Sequence, residues 1–254
     1  MRPPSMRGPR LAAARAWPAV LEQASDWLRR HPEWWMLSLC AAVWLWLQLK
    51  PDGAGLASVC RAASGRPERI AVAAPDGGLP LMTAAMMLPL AAGSARYAAF
   101  RSLWRRRHRA IAVFLCGYLA VWLAAGWLLD EMAAPWLAAI NDKPLALAGI
   151  ALAAATWQLC PAKAAALAAC HQGHSLAPSG WPADRDCLLY GFRNGAACVR
   201  SCWLLMLLPV AGGHDLAMML AATALAAAER YLRPAAGLSA AALLGLALWR
   251  ALAS

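Results

Sequence analysis

The chain has 254 residues, of which 61% are hydrophobic and 15% charged, against roughly 45–50% and about 25% in an ordinary soluble domain. That excludes a disordered protein, and the long apolar blocks that charged residues do not enter point to a polytopic membrane protein rather than a water-soluble globule. The formal charge of +11, from 24 basic and 13 acidic residues, would raise the question of nucleic acid in a soluble chain; here its meaning depends on where the arginines fall.

Residues 1–30 carry six arginines and no compact apolar core, so no secretory signal is read in them. With Pro3, Pro4, Pro9 and Pro18, this stretch reads as a basic cytoplasmic arm, followed by a single transmembrane helical domain over 31–254. Eight cysteines are too few for a disulfide scaffold, and most lie in or beside apolar blocks, as packing residues or metal ligands do.

A membrane-spanning helix needs about 20 residues. Seven candidate blocks run over 33–49, 79–97, 110–129, 145–168, 195–212, 214–229 and 235–252. The expected fold is therefore an all-α transmembrane bundle of seven spans. Six is the fallback, because the sixth block is short and opens Gly212-Gly213-His214-Asp215, as a hairpin partner or a re-entrant piece would.

Short cytoplasmic loops collect lysine and arginine. The arm and the loop holding Arg101, Arg105, Arg106, Arg107 and Arg109 therefore belong inside, and the acidic loop Asp130–Lys143 belongs outside. The loop Lys50–Asp76, with Lys50, Arg61, Arg66 and Arg69, runs against this orientation but is outvoted. The charge is thus a topology signal with an affinity for anionic lipid, the expected site is a bacterial inner membrane, and nucleic acid is not an expected partner.

Soft ligands recur inside the blocks. Met82 and Met86 are four apart, on one helix face, just before Pro89. They are either gap-filling residues or thioether ligands suited to Cu(I). The fourth block continues through Cys160-Pro161-Ala162-Lys163 to Cys170-His171-Gln172-Gly173-His174. Lys163 lies about 5 residues, roughly 8 Å, from the inner end of its block and can snorkel there or be paired. His171 and His174 read singly as loop residues.

Cys198, Cys202 and Met206 step by four, two thiols and a thioether on one face, while Arg200 points the other way toward headgroups. This ladder is the strongest ligand spacing in the chain, with buried packing thiols as the plain alternative. His214 and Met218 form a further i, i+4 pair. Glu229 is left open, and Arg230 beside it reads as a solvated helix end. In the expected orientation the thiols fall in the inner half and Met82, Met218 and His214 toward the outer half, an order suited to Cu(I) because thioethers and imidazoles form no disulfides.

In this order the segments resemble a bacterial family of predicted metal-binding integral membrane proteins of unknown function. The resemblance is carried by Met82-x-x-x-Met86-Met87-Leu88-Pro89, then Gly117-Tyr118-Leu119 with Trp122, then Gln158-Leu159 with Pro161 and Lys163. It continues with Gly195, Cys198, Cys202, Trp203, Leu205 and Met206, and closes at Glu229 with its basic neighbour, about 79 to 233 in all. Three departures stand out: Cys160 is gained and Ala166 replaces a cysteine, Cys198-Val199-Arg200-Ser201-Cys202-Trp203 lacks a glycine and one thiol, and His214-Asp215 replaces Met-Asn. The resemblance implies metal binding at a thinner site.

The leading expectation is a membrane protein that handles a soft metal, Cu(I) before zinc, because zinc typically wants four Cys or His ligands, of which Cys170, His171, His174 and Cys187 supply candidates. The ion would enter at Cys198 and Cys202 with Cys160 or Cys170 and pass toward Met206, Met82, Met86, Met218 and His214, with a membrane or soluble donor as partner. The alternative is an accessory subunit of a larger membrane complex. No Walker loop, Gly-x-Ser-x-Gly elbow or His-Glu-x-x-His helix is present, so enzyme chemistry is not expected.

Overall fold

The computed structural model describes residues 22–23, 25–49, 78–139, 143–212, 216–232 and 235–252. His214, the loop Lys50–Asp76 and most of the N-terminal arm lie outside them. The described elements are α1 (Trp34–Leu49), α2 (Gly78–Arg101), a 3-10 turn (Trp104–Arg106), α3 (Arg107–Ala139), α4 (Lys143–Gln158), α5 (Pro161–Cys170), α6 (Gly180–Ala211), α7 (Leu216–Tyr231) and α8 (Ala235–Leu252). The described residues form no strand, as the alanine- and leucine-rich blocks dictate.

Where they are described, the seven apolar blocks fall on helix, but the fourth is two helices and not one. Proline at 161 has no amide hydrogen and disfavours helical backbone in the residue before it; Cys160 accordingly sits at φ −76°, ψ 133°, and α5 restarts with Pro161 in its first turn. The segments Pro144–Gln158 and Pro161–Cys170 meet at 72°. Trp104–Leu129 and Gly180–Ala211 are each long and apolar enough to cross a membrane, and the bent pair makes a third span if taken as one. Trp34–Leu49 and Gly237–Trp249 are apolar but shorter.

The central contact is α3 against α6. A Cβ at Gly117 would lie 2.5 Å from the Leu188 carbonyl oxygen, one at Gly191 would collide with that of Phe114, and one at Gly195 would lie 3.0 Å from that of Tyr118. Gly191 and Gly195 are four apart, so the small-xxx-small face of α6 receives the backbone of α3 directly.

The bundle is fastened elsewhere through proline. Pro89 lies inside α2 and cannot donate to the carbonyl of Ala85, four residues back. That oxygen is instead met from α1, by the Trp44 indole N–H at 3.0 Å and the Cys40 thiol at 3.3 Å. On the other side, the Tyr231 hydroxyl of α7 donates to the Pro89 carbonyl at 2.8 Å.

At the Gly180 end of α6, Asp184 is clamped by Arg106 at 2.6 Å and Arg109 at 2.8 Å. The Arg107 guanidinium stacks 3.9 Å over the Trp104 ring and reaches the Arg29 carbonyl at 3.4 Å, while Arg96 reaches that of Arg30 at 3.0 Å. The end of the arm and the arginine-rich loop therefore adjoin.

Two outcomes follow for thermal unfolding in detergent. Gly191→Ala should destabilise by about 1–3 kcal/mol through overpacking of the seam, whereas Gly149→Ala, where an added Cβ meets nothing within 4 Å, should be silent; equal midpoints would contradict the seam. Trp44→Phe should cost about 1 kcal/mol in the native chain and less in a Pro89→Ala background, where Ala85 regains a helical partner. An unchanged cost across that cycle would show that Trp44 acts through packing alone.

Candidate metal centre

The step of four along α6 places Cys198, Cys202 and Met206 on one buried face. The Cys198 sulfur is the hub. It receives the Tyr118 hydroxyl from α3 at 3.1 Å and is in side-chain contact with Cys202 and, across the interface with α5, with Cys170. Ser201 donates to the Cys198 carbonyl at 2.9 Å and lies 3.3 Å from the Cys202 sulfur. All three thiols are buried and free of disulfide.

Two turns from Cys198, about 12 Å along the helix axis, Met206 opens onto a second feature. A cavity of about 50 Å³ is lined by Met82, Met86 and Met87 of α2, Trp122 of α3, and Met206 and Pro209 of α6. It has room for an occupant at least the size of a water molecule. Its wall carries four thioethers and one indole, and the Trp122 N–H has no hydrogen-bond partner.

Beside the thiols lies a layer of buried charge. Lys163, in the first turn of α5, pairs with Glu229 of α7 at 2.5 Å, both side chains almost wholly out of solvent. The second Glu229 oxygen has no partner. Arg230 places its Nη2 3.0 Å from Ser94 Oγ, 3.2 Å from Asn194 Oδ1 and 3.4 Å from the Cys170 carbonyl. Asn194 in turn donates to Ser94 Oγ at 3.1 Å and to the Cys170 carbonyl at 2.8 Å. The last turn of α5, whose carbonyls lack helical partners, is thus capped by α6 and α7.

Several expectations change here. Arg230 is buried at 6% exposure, not a solvated helix end, because Ser94, Asn194 and the α5 terminus supply the acceptors that water would. Lys163 does not snorkel; Glu229 pairs it in place. Cys160 sits at the break before Pro161, the opposite end of α5 from Cys170, so the thiol that meets Cys198 is Cys170. Arg200 is exposed, with its Nε on the Ala196 carbonyl at 3.3 Å. Met218 packs on the edge of the core.

Met87, Tyr118, Ser94 and Asn194 were not among the expected site residues. The signal available for the last two was a small polar side chain within an apolar stretch.

Among the described residues no three His, Cys, Asp or Glu side chains converge as a metal-binding group, so the four-ligand arrangement that zinc prefers is not formed by Cys170, His171, His174 and Cys187. Cys170, Cys198 and Cys202 likewise do not form a closed three-thiol group; what the described residues offer is neighbouring soft donors, with four thioethers around the small cavity, of the kind that suits Cu(I). A large apolar groove of about 1280 Å³ edged by Trp136, Trp157, Trp203 and Arg200 is lined by none of these sulfurs.

Removing one member of the buried pair leaves the other uncompensated, so Lys163→Met and Glu229→Leu should each destabilise by about 3–5 kcal/mol, and the double variant by less than the sum. Additive losses in detergent unfolding would show that the pair is not coupled.

A family model described as PpoB2, copper chaperone, matches residues 80–253. No curated protein and no solved structure matches the chain. The matched region takes in all the helices that supply the thiols, the thioethers and the buried charges. The chain belongs to the PpoB2 copper chaperone family.

Proposed function

We propose that this protein is a membrane-embedded chaperone for Cu(I), which accepts the ion at Cys198, Cys202 and Cys170 and passes it by way of Met206 to Met82, Met86 and Met87. The observation that carries this reading is the continuity of soft donors on one face of α6, where the thiol cluster and the thioether cavity share a helix two turns apart. Cu(I) is weakly held by hard oxygen donors and well held by thiolate and thioether. Cysteine would supply a strong acceptor site, and neutral methionine a weaker one from which the ion can leave.

In this proposal the helices form a bundle of up to seven membrane-crossing segments, the exposed Leu45, Trp46, Trp127, Leu128, Leu248 and Trp249 face lipid, and the large groove is filled by acyl chains. Under the positive-inside rule the Asp184 end of α6 lies in the cytoplasm of a bacterial inner membrane. Copper then moves outward from thiols to thioethers. A soluble or membrane-bound donor would load the thiols. The bent α4–α5 pair fits this reading, because broken helices in membranes are tolerated where they frame a binding site.

The test is copper content after anaerobic Cu(I) loading and desalting in mild detergent. Wild-type protein should retain copper, and the Cys198→Ser, Cys202→Ser double variant should lose most of it. Met86→Leu with Met206→Leu should keep the copper but release it more slowly to an external acceptor. Near-zero copper in wild type and the thiol variant alike would overturn the proposal.

A further inference from the structure

The charge of the buried layer does not cancel. Lys163 and Glu229 neutralise each other, but Arg230 reaches only neutral acceptors: a serine hydroxyl, an asparagine oxygen and a backbone carbonyl. None of the ion pairs among the described residues includes it. A buried guanidinium cannot shed its charge, and a charge buried without a counter-ion is strongly unfavourable. Of the three residues it touches, Ser94, Asn194 and Cys170, only Cys170 carries a side chain that readily becomes an anion. The thiol cluster is therefore the adjoining place where a balancing negative charge can form.

We infer that Arg230 makes the thiol site select for a monovalent over a divalent ion, its fixed buried charge acting as the counter-ion of an anionic metal–thiolate complex. The inference rests on the copper reading above and adds to it the basis of discrimination. For any given set of thiolates, the complex of a monovalent ion is one unit more negative than that of a divalent ion. A fixed cation beside the site stabilises the more negative complex by more, whatever the number of sulfurs engaged. Sulfur donors alone do not provide this discrimination, since soft divalent ions bind thiolate as well. With two thiolates the monovalent complex carries −1 and balances Arg230, whereas the divalent complex is neutral and leaves the guanidinium stranded.

Arg230 also hydrogen-bonds to the end of α5, and the experiment has to separate that structural duty from its charge. The full chain is purified in detergent and titrated with Ag(I) and with Cd(II), two thiophilic ions with filled d shells that differ in charge, each in competition with a calibrated chelator. Arg230→Gln keeps hydrogen-bonding capacity without charge and should lower the ratio of Ag(I) to Cd(II) affinity on the order of tenfold. Arg230→Lys should restore most of the ratio. Asn194→Asp, which sets a carboxylate beside the retained guanidinium, should lower it as Arg230→Gln does, and it serves as the test if Arg230→Gln fails to fold.

An unchanged ratio in Arg230→Gln, or in Asn194→Asp where the former does not fold, overturns the inference while the copper reading stands, provided Cys198→Ser still abolishes Ag(I) binding. Binding of neither ion in a Cys198-dependent way by wild type overturns the copper reading itself.

Discussion

The direct backbone contact of α3 with α6 at Gly117, Gly191 and Gly195 sets the position of nearly everything chemical in this protein. Because the helices touch without intervening side chains, Tyr118 is close enough to place its hydroxyl on Cys198. Next to Tyr118 on the same helix, Trp122 reaches the methionine cavity. Helices that meet backbone to backbone are held by close packing together with a few polar contacts. The glycine seam supplies the packing, and the polar layer at Ser94, Asn194, Arg230, Lys163 and Glu229 supplies the contacts.

That layer exists because backbone groups have been released from helical duty. The break before Pro161 starts a new helix at which Lys163 turns inward, and ten residues later the end of α5 presents the Cys170 carbonyl to Asn194 and Arg230. Pro89 does the same for α2, where the freed Ala85 carbonyl becomes the anchor of α1. Each interruption exposes a group that must be paired in a dry interior, and each pairing joins a different helix to the bundle. Interruptions that would weaken an isolated helix here fix the neighbours in place.

Much of this was legible in the sequence. The apolar blocks fell on helix because a buried or apolar helical segment leaves a long uncharged run, but they missed the helical residues 25–30 and the first half of α6, from Gly180 to Asn194, which carry charges. The Cys198, Cys202, Met206 ladder and the Met82, Met86 pair were readable because both lie within a single helix, where spacing alone determines the shared face. The pairing of Lys163 with Glu229, the burial of Arg230 and the choice of Cys170 over Cys160 were not, because each depends on a distance between helices far apart in the chain. Arg230 was misread for a physical reason: arginine next to a block end is normally solvated, and only Ser94 and Asn194, two ordinary-looking residues on other helices, make its burial tolerable.

The tyrosine that follows Arg230 ties two regions together that the site otherwise keeps apart. Tyr231 donates to the carbonyls of Pro89 and Leu90 at 2.8 and 3.3 Å, so α2 is latched at its proline to the residues adjoining Glu229 and Arg230. Met82, Met86 and Met87 lie on the N-terminal side of that same proline. A shift of α7 would therefore be felt along α2, and the helix that carries the buried charges is coupled to the helix that carries the thioethers through a single imino acid.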